Sequence, residues 1–414
     1  MRSFLFFALF IGLIALVDYY ALQALRTAFP EVRWLKKAYT WTHFALYGGF
    51  IAFFVAYRSG LVMPRSAAYL FSSLLFALFL PKLIIAIILL AEDGTRLVRW
   101  AWMKLSGPQS PIDPNGTNIS RAQFLSKSAL ALASIPFGAM VYGIVKGKYD
   151  YTVRKVQLAI KDLPAAFEGF TITQISDIHT GSFDNKEAVQ RGINLVNAQQ
   201  SDAIFFTGDL VNNHIDEVQG FEDIYSQLTA KEGVFSVLGN HDYGDYLPWD
   251  SPAEKAAHFQ KVLDKHGELG WNLLKNQNHL VKRGEDELAI IGVENWGAKA
   301  RFPKYGRMAE AVQGTENARV KLLLSHDPSH WDAQVRPEYP DINAMFSGHT
   351  HGMQFGVEIP GFKWSPVQYV YKQWAGLYEK GEQYLYVNRG FGFIGFSGRV
   401  GIYPEITVFE LTKA

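Results

Sequence analysis

His349 and His351 stand two residues apart near the carboxyl end of the chain, directly after the apolar run 344–346. Such a run predicts a buried strand, and Gly348 at its end would let the chain turn and present both imidazoles. Imidazole is a common metal ligand, so the pair could hold a metal ion. Taken alone, a His-x-His pair is equally compatible with an ordinary surface or core position.

Four further stretches place metal-binding side chains directly after an apolar run. In open α/β sheets, ligands gather outside the carboxyl ends of the strands, so the five strand ends are expected to meet at one place. Side chains alternate along extended chain, so Asp177 and His179 are expected to point the same way. The side chains that follow the five runs are Asp177, His179, Asp209, Asn240, His241, His326, His349 and His351.

The motifs Asp-x-His, Gly-Asp, Gly-Asn-His-Asp, a single His and Gly-His-x-His follow one another in this order. In this order they resemble the calcineurin-like metallophosphoesterases, over roughly Val156 to Ala414. The preceding sequence is similar to the bacterial membrane-associated branch of that family, in which transmembrane segments precede the domain. The resemblance implies an α/β fold, a four-layer α-β-β-α sandwich of two mixed sheets.

The resemblance also implies two divalent metal ions and a ligand set for each. A carboxylate must bridge them, because two cations a few Å apart repel strongly unless an anion lies between them. Mixed oxygen and nitrogen donors favour Mn, Fe or Zn, and the absence of Cys excludes thiolate sites. One ion would take Asp177, His179, Asp209 and His351, and the other Asp209, Asn240, His326 and His349.

The implied activity is hydrolysis of a phosphomonoester, phosphodiester or pyrophosphate bond by attack of a metal-bound hydroxide. His241 would protonate the leaving oxygen or stabilise the charge on the phosphoryl group, the alternative being a loop histidine that faces water. Many relatives steady this histidine with an Asp where this chain has Asn212, so weaker acid catalysis is expected unless Asp216 or Asp242 substitutes.

Three residues are predicted to contact the substrate: Asn212, Arg389 and Arg399. The two arginines lie in Gly-rich sequence, where loops could bring a guanidinium to a phosphate. A purely structural role for both arginines is equally compatible with the sequence.

Length and charge set the outer limits on domain number and partners. At 414 residues the chain exceeds one ordinary domain, and we predict a transmembrane helical region over 1–150 and a phosphoesterase domain over 151–414. The 40 basic and 39 acidic residues provide no concentrated basic charge, so no nucleic-acid partner is expected.

Four apolar stretches in the first region are each about long enough to cross a bilayer as a helix of roughly 20 residues. Asp18 and Lys82 lie within them, and their expected role is to pair with each other and lock the bundle. The four predicted spans are Phe4 to Leu25, Tyr39 to Tyr57, Ser72 to Leu90 and Ser128 to Val145.

Two features bear on membrane orientation. Nine basic residues flank the spans on one side and seven on the other, which is a small positive-inside bias. The segment 120–127, followed by an apolar small-residue stretch, looks like a twin-arginine export signal that has kept one arginine. Both features predict a multi-pass protein of the bacterial cytoplasmic membrane with the catalytic domain on the extracytoplasmic side.

The second region alternates between strand and helix patterns. We predict an edge strand over 153–160 and a β-α-β crossover in which the helix 185–199 joins the strands that end at Asp177 and Asp209. Further helices are predicted near 217–228 and 252–266. Two more strands are predicted near 279–283 and 288–293.

The segment 361–374 is rich in aromatic residues and carries two Lys. Such a composition is typical of the headgroup level of a bilayer, with core packing as the alternative. The partners predicted are therefore the lipid bilayer and a phosphorylated small molecule or lipid, such as a nucleotide-activated acyl sugar. The alternative function is a catalytically weak or idle metal-binding domain that regulates through the membrane bundle.

Overall fold

The computed structural model describes residues 2–59, 65–106, 120–299 and 302–414. The described residues form two compact units, divided between Tyr142 and Gly143. The first unit is helical and the second is an α/β domain.

Long helices lie at all four of the positions predicted for membrane spans. Within the described residues, the stretches Phe71–Leu105 and Arg121–Val145 are long and apolar enough to cross a membrane by length and composition. The third of these helices, Arg65–Ser106, contains Pro81, which interrupts its hydrogen-bond ladder. The four helices are α1 (Arg2–Ala28), α2 (Arg33–Arg58), α3 (Arg65–Ser106) and α4 (Arg121–Val145).

A partly buried polar cluster joins α1, α2 and α3. The ammonium of Lys82 lies 2.6 Å from a carboxylate oxygen of Asp18, so the predicted pairing is confirmed. The hydroxyls of Tyr39 and Tyr47 donate to the same carboxylate, and His43 lies beside Lys82. An unpaired charge among apolar helices is costly, and this cluster gives both charged groups partners within the protein.

The second unit contains fourteen strands within its described residues and five helices. The helices are α5 (Lys186–Asn197), α6 (Glu222–Tyr225), α7 (Pro252–Glu268), α8 (Met308–Ala311) and α9 (Arg336–Glu338). The strands are β1 (Thr152–Ile160), β2 (Thr171–Ile175), β3 (Ala203–Phe206), β4 (Gly233–Ser236), β5 (Asn272–Leu273), β6 (Gln277–Arg283), β7 (Asp286–Gly292), β8 (Val320–Leu324), β9 (Ala344–Ser347), β10 (Val357–Ile359), β11 (Phe362–Trp364), β12 (Gly376–Lys380), β13 (Gln383–Val387) and β14 (Glu405–Lys413).

Twelve of these strands form two mixed six-stranded sheets, and β10 and β11 form a separate hairpin. The first sheet has the order β1-β14-β2-β3-β4-β5, and the second has the order β12-β13-β9-β8-β7-β6. β1 is an edge strand, as predicted, and β2, α5 and β3 form the predicted crossover with β2 parallel to β3. The five strands that precede the metal-binding motifs are β2, β3, β4, β8 and β9.

Three apolar clusters show how the layers pack. One cluster lies between the two sheets and takes alternate residues from each, such as Phe205 of β3 and Phe346 of β9. A second covers the outer face of the first sheet with α5, α6 and α7, and it contains Phe206 of β3 and Val262 of α7. The third covers the outer face of the second sheet around Trp331. The four-layer sandwich expected from the sequence is confirmed.

The prediction of a helix near 217–228 is wrong, because the structure has only a short turn at Ile215–Val218 and the single-turn helix α6 there. Gly220 between them has a φ of +77°, which a continuous helix cannot accommodate. The other two predicted helices form, and both are capped. The side chains of Asn185 and Ser251 accept hydrogen bonds from the backbone of the first turns of α5 and α7.

His266, near the end of α7, should make this fold sensitive to acid. Burial lowers the pKa of its imidazole to about 3, while its Nδ1 lies 2.9 Å from the hydroxyl of Ser236. The unfolded chain takes up a proton near the ordinary His pKa of about 6.5, and the folded chain does so only near 3. Stability is therefore complete above about pH 6.5 and should fall by about 1.4 kcal/mol per pH unit down to about pH 3 on account of this group.

The change His266→Met removes this proton uptake but also one hydrogen bond. The free energy of unfolding of the variant should therefore be lower than that of the wild type at pH 7, but it should fall less steeply as the pH is lowered. Denaturant unfolding followed by Trp fluorescence reports on this region, because Trp271 packs against His266. Parallel pH curves for the two proteins would show that His266 is not the acid-sensitive group.

Candidate metal centre

The loops after β2, β3 and β4 of the first sheet meet the loops after β8 and β9 of the second. The side chain of Gln174 donates to the carbonyl of Ser347 at 3.0 Å, and the backbone N–H of His349 donates to the carboxylate of Asp177 at 3.0 Å. Parallel strands end at the same edge of a sheet, and these bonds join the two edges. All seven predicted ligands lie in these loops.

Five of the predicted ligands have left-handed backbone conformations: Asp177, His179, Asp209, His349 and His351, with φ between +49° and +72°. The predicted convergence of Asp177 and His179 is confirmed, but strand alternation is not its cause, since β2 ends at Ile175 and both residues follow it in a loop. Non-glycine residues rarely adopt this conformation, which costs of order 1 kcal/mol or more at each position. The strain is concentrated where the side chains converge.

Gly348 allows the two edges to approach each other. A Cβ at this position would lie 2.0 Å from the hydroxyl of Ser176 and 2.1 Å from a carboxylate oxygen of Asp177. Neither contact is possible for a real side chain, so the loop that carries His349 requires glycine here.

The side chains form two groups, each with ligand atoms within 4.8 Å of one another. The first contains Asp177, His179 and His351, and the second contains Asp209, His326 and His349. The Nε2 atoms of His179 and His351 are 3.1 Å apart.

Asp209 lies between the two groups. Its Oδ2 is 3.5 Å from Nε2 of His179 and 3.1 Å from Nε2 of His326. The Oδ1 of Asn240 lies 2.7 Å from Nδ1 of His349, which places the amide oxygen in the second group.

In His179 and in His326, a backbone carbonyl determines which of the two ring nitrogens carries the proton. Nδ1 of His179 lies 3.1 Å from the carbonyl of Val211, and Nδ1 of His326 lies 2.7 Å from that of Thr207. A carbonyl only accepts, so each Nδ1 donates and each Nε2 keeps a lone pair when the ring is neutral. Both lone pairs face carboxylate oxygens, an arrangement that a cation between them satisfies. The donor set therefore fits divalent metal ions.

Burial and charge act on these groups in opposite directions. Burial lowers the pKa of His179 and of His349, so both imidazoles are held neutral. Burial also opposes charge on His326, but the carboxylate of Asp209 outweighs it and raises the pKa of His326 to about 10. Burial raises the pKa of Asp177, yet the adjacent His351 holds it below its usual range. Positive charge is favoured beside both carboxylates.

His241, in the loop after β4, is held beside the second ligand group by the loop after β3. Its backbone N–H donates to Asp209 at 2.9 Å, and its Nδ1 lies 2.6 Å from the backbone carbonyl of Asn212. The side chain of Asn212 exchanges hydrogen bonds with Ser182 instead. Orientation of the imidazole thus comes from the backbone at position 212, which leaves Nε2 as the nitrogen that can serve a substrate.

Asp242 has a structural role that the sequence did not indicate. Its buried carboxylate accepts backbone N–H groups from Asp209, Leu210 and Gly239 at 2.8–2.9 Å. It binds the loops after β3 and β4 together and makes these contacts with backbone rather than with the imidazole of His241. Its place in the Gly-Asn-His-Asp motif was the only available signal.

Two further residues missed by the sequence reasoning support His349. The hydroxyl of Tyr371 lies 2.8 Å from Nε2 of His349 and donates to Asp327 at 3.4 Å. An Nε2–H that donates to Tyr371 leaves the Nδ1 lone pair facing Asn240 and His326. Neither residue belongs to a ligand motif.

Both predicted substrate arginines are buried and have protein partners. Arg389 forms ion pairs with Glu358 and Glu405. Arg399 donates to the carbonyls of Gly390 and Gly392, and its Nη2 lies 3.2 Å from Nδ1 of His351. These contacts favour the structural alternative, and a contact of either with substrate stays a prediction.

Family models match two parts of the chain. Residues 1–148 match "Probable Calcineurin-like phosphoesterase, transmembrane domain", and residues 170–353 match "Calcineurin-like phosphoesterase". The matched ranges correspond to the helical region and to most of the domain that carries the seven converging side chains.

Similar proteins occur in bacteria and animals. A "Transmembrane protein with metallophosphoesterase domain" of Danio rerio is 29% identical over 283 residues, which cover 66% of this chain and 60% of that protein. "Uncharacterized metallophosphoesterase YkuE" of Bacillus subtilis is 29% identical over 71% of this chain and 98% of its own length. "Phosphodiesterase YaeI" of Escherichia coli is 28% identical over 71% of this chain and 99% of its own length. The chain therefore belongs to the calcineurin-like phosphoesterase family, with that family's transmembrane domain ahead of the phosphoesterase domain.

Proposed function

We propose that this chain is a membrane-anchored phosphoesterase with a dinuclear metal site. The observation that carries the proposal is the convergence of seven side chains from five strand ends into two adjoining groups that share Asp209. We assign one metal ion to Asp177, His179, Asp209 and His351, and the other to Asp209, Asn240, His326 and His349.

Bound metals would supply positive charge for the phosphate oxygens and would acidify water, which is the chemistry that phosphoester hydrolysis needs. Oxygen and nitrogen donors without thiolates suit Mn, Fe or Zn. The protein's own contribution is to hold the donors in place. Asp242 fixes the loops of Asp209 and Asn240, Tyr371 fixes the ring of His349, and the carbonyls of Val211 and Thr207 fix His179 and His326.

We assign to His241 the proton that the leaving oxygen receives. Its Nδ1 is occupied by the carbonyl of Asn212, so Nε2 is available to a substrate beside the second group. A carbonyl orients the ring without adding the negative charge that an Asp side chain at position 212 would bring.

Removal of the shared carboxylate tests the metal centre. Asp209→Asn should lower hydrolysis of bis(p-nitrophenyl) phosphate by roughly 100-fold or more, because a neutral amide cannot offset two cations. The thermal stabilisation that Mn²⁺ gives the EDTA-treated full-length protein in detergent should fall with it, since a ligand stabilises only the fold that binds it.

Asp216→Asn is the matched control, since the Asp216 side chain is 62% exposed in the same domain. It should retain both activity and stabilisation. Stabilisation by Mn²⁺ without turnover of any phosphoester would favour the alternative of an idle, regulatory metal-binding domain. No stabilisation of the wild-type protein by Mn²⁺, Fe²⁺ or Zn²⁺ would contradict the metal centre itself.

His241→Gln separates acid catalysis from a structural role. Loss of a general acid should lower turnover of an alkyl phosphoester by roughly 100-fold, but that of a nitrophenyl ester by less than about tenfold, because nitrophenolate leaves without a proton. His214→Gln, a histidine of the same domain outside both ligand groups, is the control. Equal losses with both ester types would indicate that His241 acts on structure or on phosphoryl charge instead.

The substrate class remains broad within this proposal. The site suits a phosphomonoester, a phosphodiester or a pyrophosphate, and the name of the Escherichia coli relative makes a diester the first to test. Membrane anchoring supports a substrate that is itself lipid-linked, such as a nucleotide-activated acyl sugar.

We further propose that the catalytic domain lies on the extracytoplasmic side, which the basic-residue bias and the export-like segment 120–127, at the start of α4, support. The chain has no Cys, so Leu195→Cys introduces a single thiol on the exposed side of α5. A membrane-impermeant maleimide should label this thiol in intact bacterial spheroplasts. Labelling only after lysis would place the domain in the cytoplasm.

A further inference from the structure

The hairpin formed by β10 and β11 belongs to neither sheet of the sandwich. Its register pairs Val357 with Trp364, Glu358 with Lys363, and Ile359 with Phe362. Directly paired residues of an antiparallel hairpin lie on the same face, and faces alternate along each strand. One face therefore carries Glu358 and Lys363, and the other carries only apolar and aromatic side chains. The hairpin begins after residue 353, the last residue of the family match.

The polar face is turned toward the domain. Glu358 accepts hydrogen bonds from Arg389 at 2.6 and 3.0 Å and from Arg154 at 3.0 Å. The ammonium of Lys363 donates to the carbonyl of Ala375 and lies 5.0 Å from the ring centre of Trp374. Charged groups hold the hairpin against the protein.

Three of the four side chains on the apolar face are exposed, and the fourth, Trp364, is half-buried. Val357, Ile359 and Phe362 are 44%, 58% and 53% exposed, and Tyr369, whose hydroxyl lies 3.5 Å from Nε1 of Trp364, is 78% exposed. A hairpin in a water-soluble domain has the opposite arrangement, with its apolar side against the core. Among the described residues after Val145, seven of the ten large exposed hydrophobic residues lie between 353 and 377. Such a concentration marks an interaction surface.

The rest of this segment connects the hairpin to the metal centre. Ser365 donates to the carbonyl of Gly352 at 2.7 Å, and Thr350 donates to the carbonyl of Trp374 at 2.6 Å. Tyr371 contacts His349. Trp374 is only 3% exposed, so the prediction that it lies at the headgroup level is wrong, and core packing holds for it.

We propose that the outer hairpin face, with Val357, Ile359 and Phe362, docks onto the lipid bilayer together with the adjacent Tyr369. The occupant follows from three observations: the chain carries a transmembrane domain, the face mixes aliphatic residues with Tyr and Trp as interfacial segments do, and Lys372 is exposed nearby. Docking would bring the ligand loop 349–351 to the membrane surface. This inference rests on the proposed function. If the domain docks in this way, its substrate is a phosphoester that carries acyl chains and enters the site from the bilayer.

The docking is tested by a fluorescence measurement that does not depend on catalysis. Phe362→Cys in the Cys-free chain provides a single site for an environment-sensitive dye, and Leu195→Cys on α5 is the control. The full-length proteins are reconstituted into phosphatidylethanolamine–phosphatidylglycerol vesicles with a nitroxide on the acyl chains. We expect the nitroxide to quench the dye at position 362 at least twofold more than at position 195.

Equal, weak quenching by the nitroxide at both positions would overturn the docking and leave the phosphoesterase proposal intact. Disulfide-linked dimers of Phe362→Cys without nitroxide quenching would also overturn it, because a second copy of the chain would then cover the face. Stronger quenching at position 362 than at position 195, in a protein that hydrolyses no phosphoester, would support the docking and contradict the proposed activity.

The substrate class is tested with the double change Ile359→Ser and Phe362→Ser. Hydrolysis of phosphatidic acid and of a diacylated nucleotide diphosphate in vesicles should fall at least tenfold, with bis(p-nitrophenyl) phosphate hydrolysis within twofold of wild type. Equal losses on both kinds of substrate would overturn the acyl-substrate inference, as would a wild-type protein that hydrolyses only the soluble ester.

Discussion

The second unit depends on keeping two buried carboxylates and four imidazoles together, each with a ligand atom 3.1 to 3.5 Å from that of a neighbour. Left to themselves, lone pairs and negative charges at this distance repel, and burial makes the repulsion stronger. The fold opposes it with left-handed backbone at five ligands, a glycine where no side chain fits, and the carboxylate of Asp242 across two loops. The side chains held together in this way form a donor set that fits divalent cations.

The two-sheet sandwich explains how such a site can be rigid. Each ligand follows a strand whose side chains are buried on both faces, in the inter-sheet cluster and in the outer clusters. Strands of this kind move little, so side chains two to four residues beyond their ends are positioned accurately. Hydrogen bonds from Gln174 and His349 join the ends of the two sheets, so neither half of the site can shift alone.

The first unit and the hairpin both give their charged groups partners within the protein. Asp18 and Lys82 are tolerated among apolar helices because tyrosines, a histidine and each other satisfy their polar atoms. The charged residues of the hairpin contact the domain, and its apolar residues are exposed. Exposed apolar side chains are unfavourable in water and favourable at a lipid surface. Both arrangements suit a chain of a membrane-anchored family.

The sequence by itself determined the metal-binding side chains as a set, the apolar runs before them, the helical character of the first region and the Asp18–Lys82 pair. These follow from local patterns, in which an apolar run ends at a polar residue or an ionisable group interrupts an apolar span. Only the tertiary structure decided the left-handed turns at the ligands and the backbone contact of His241. It alone also showed the roles of Asp242, Tyr371 and Asp327, the ion pairs of Arg389 and the direction of the hairpin faces. Most of these contacts join residues 20 to 170 positions apart, and the turns depend on neighbouring strands, so local composition carries no trace of them.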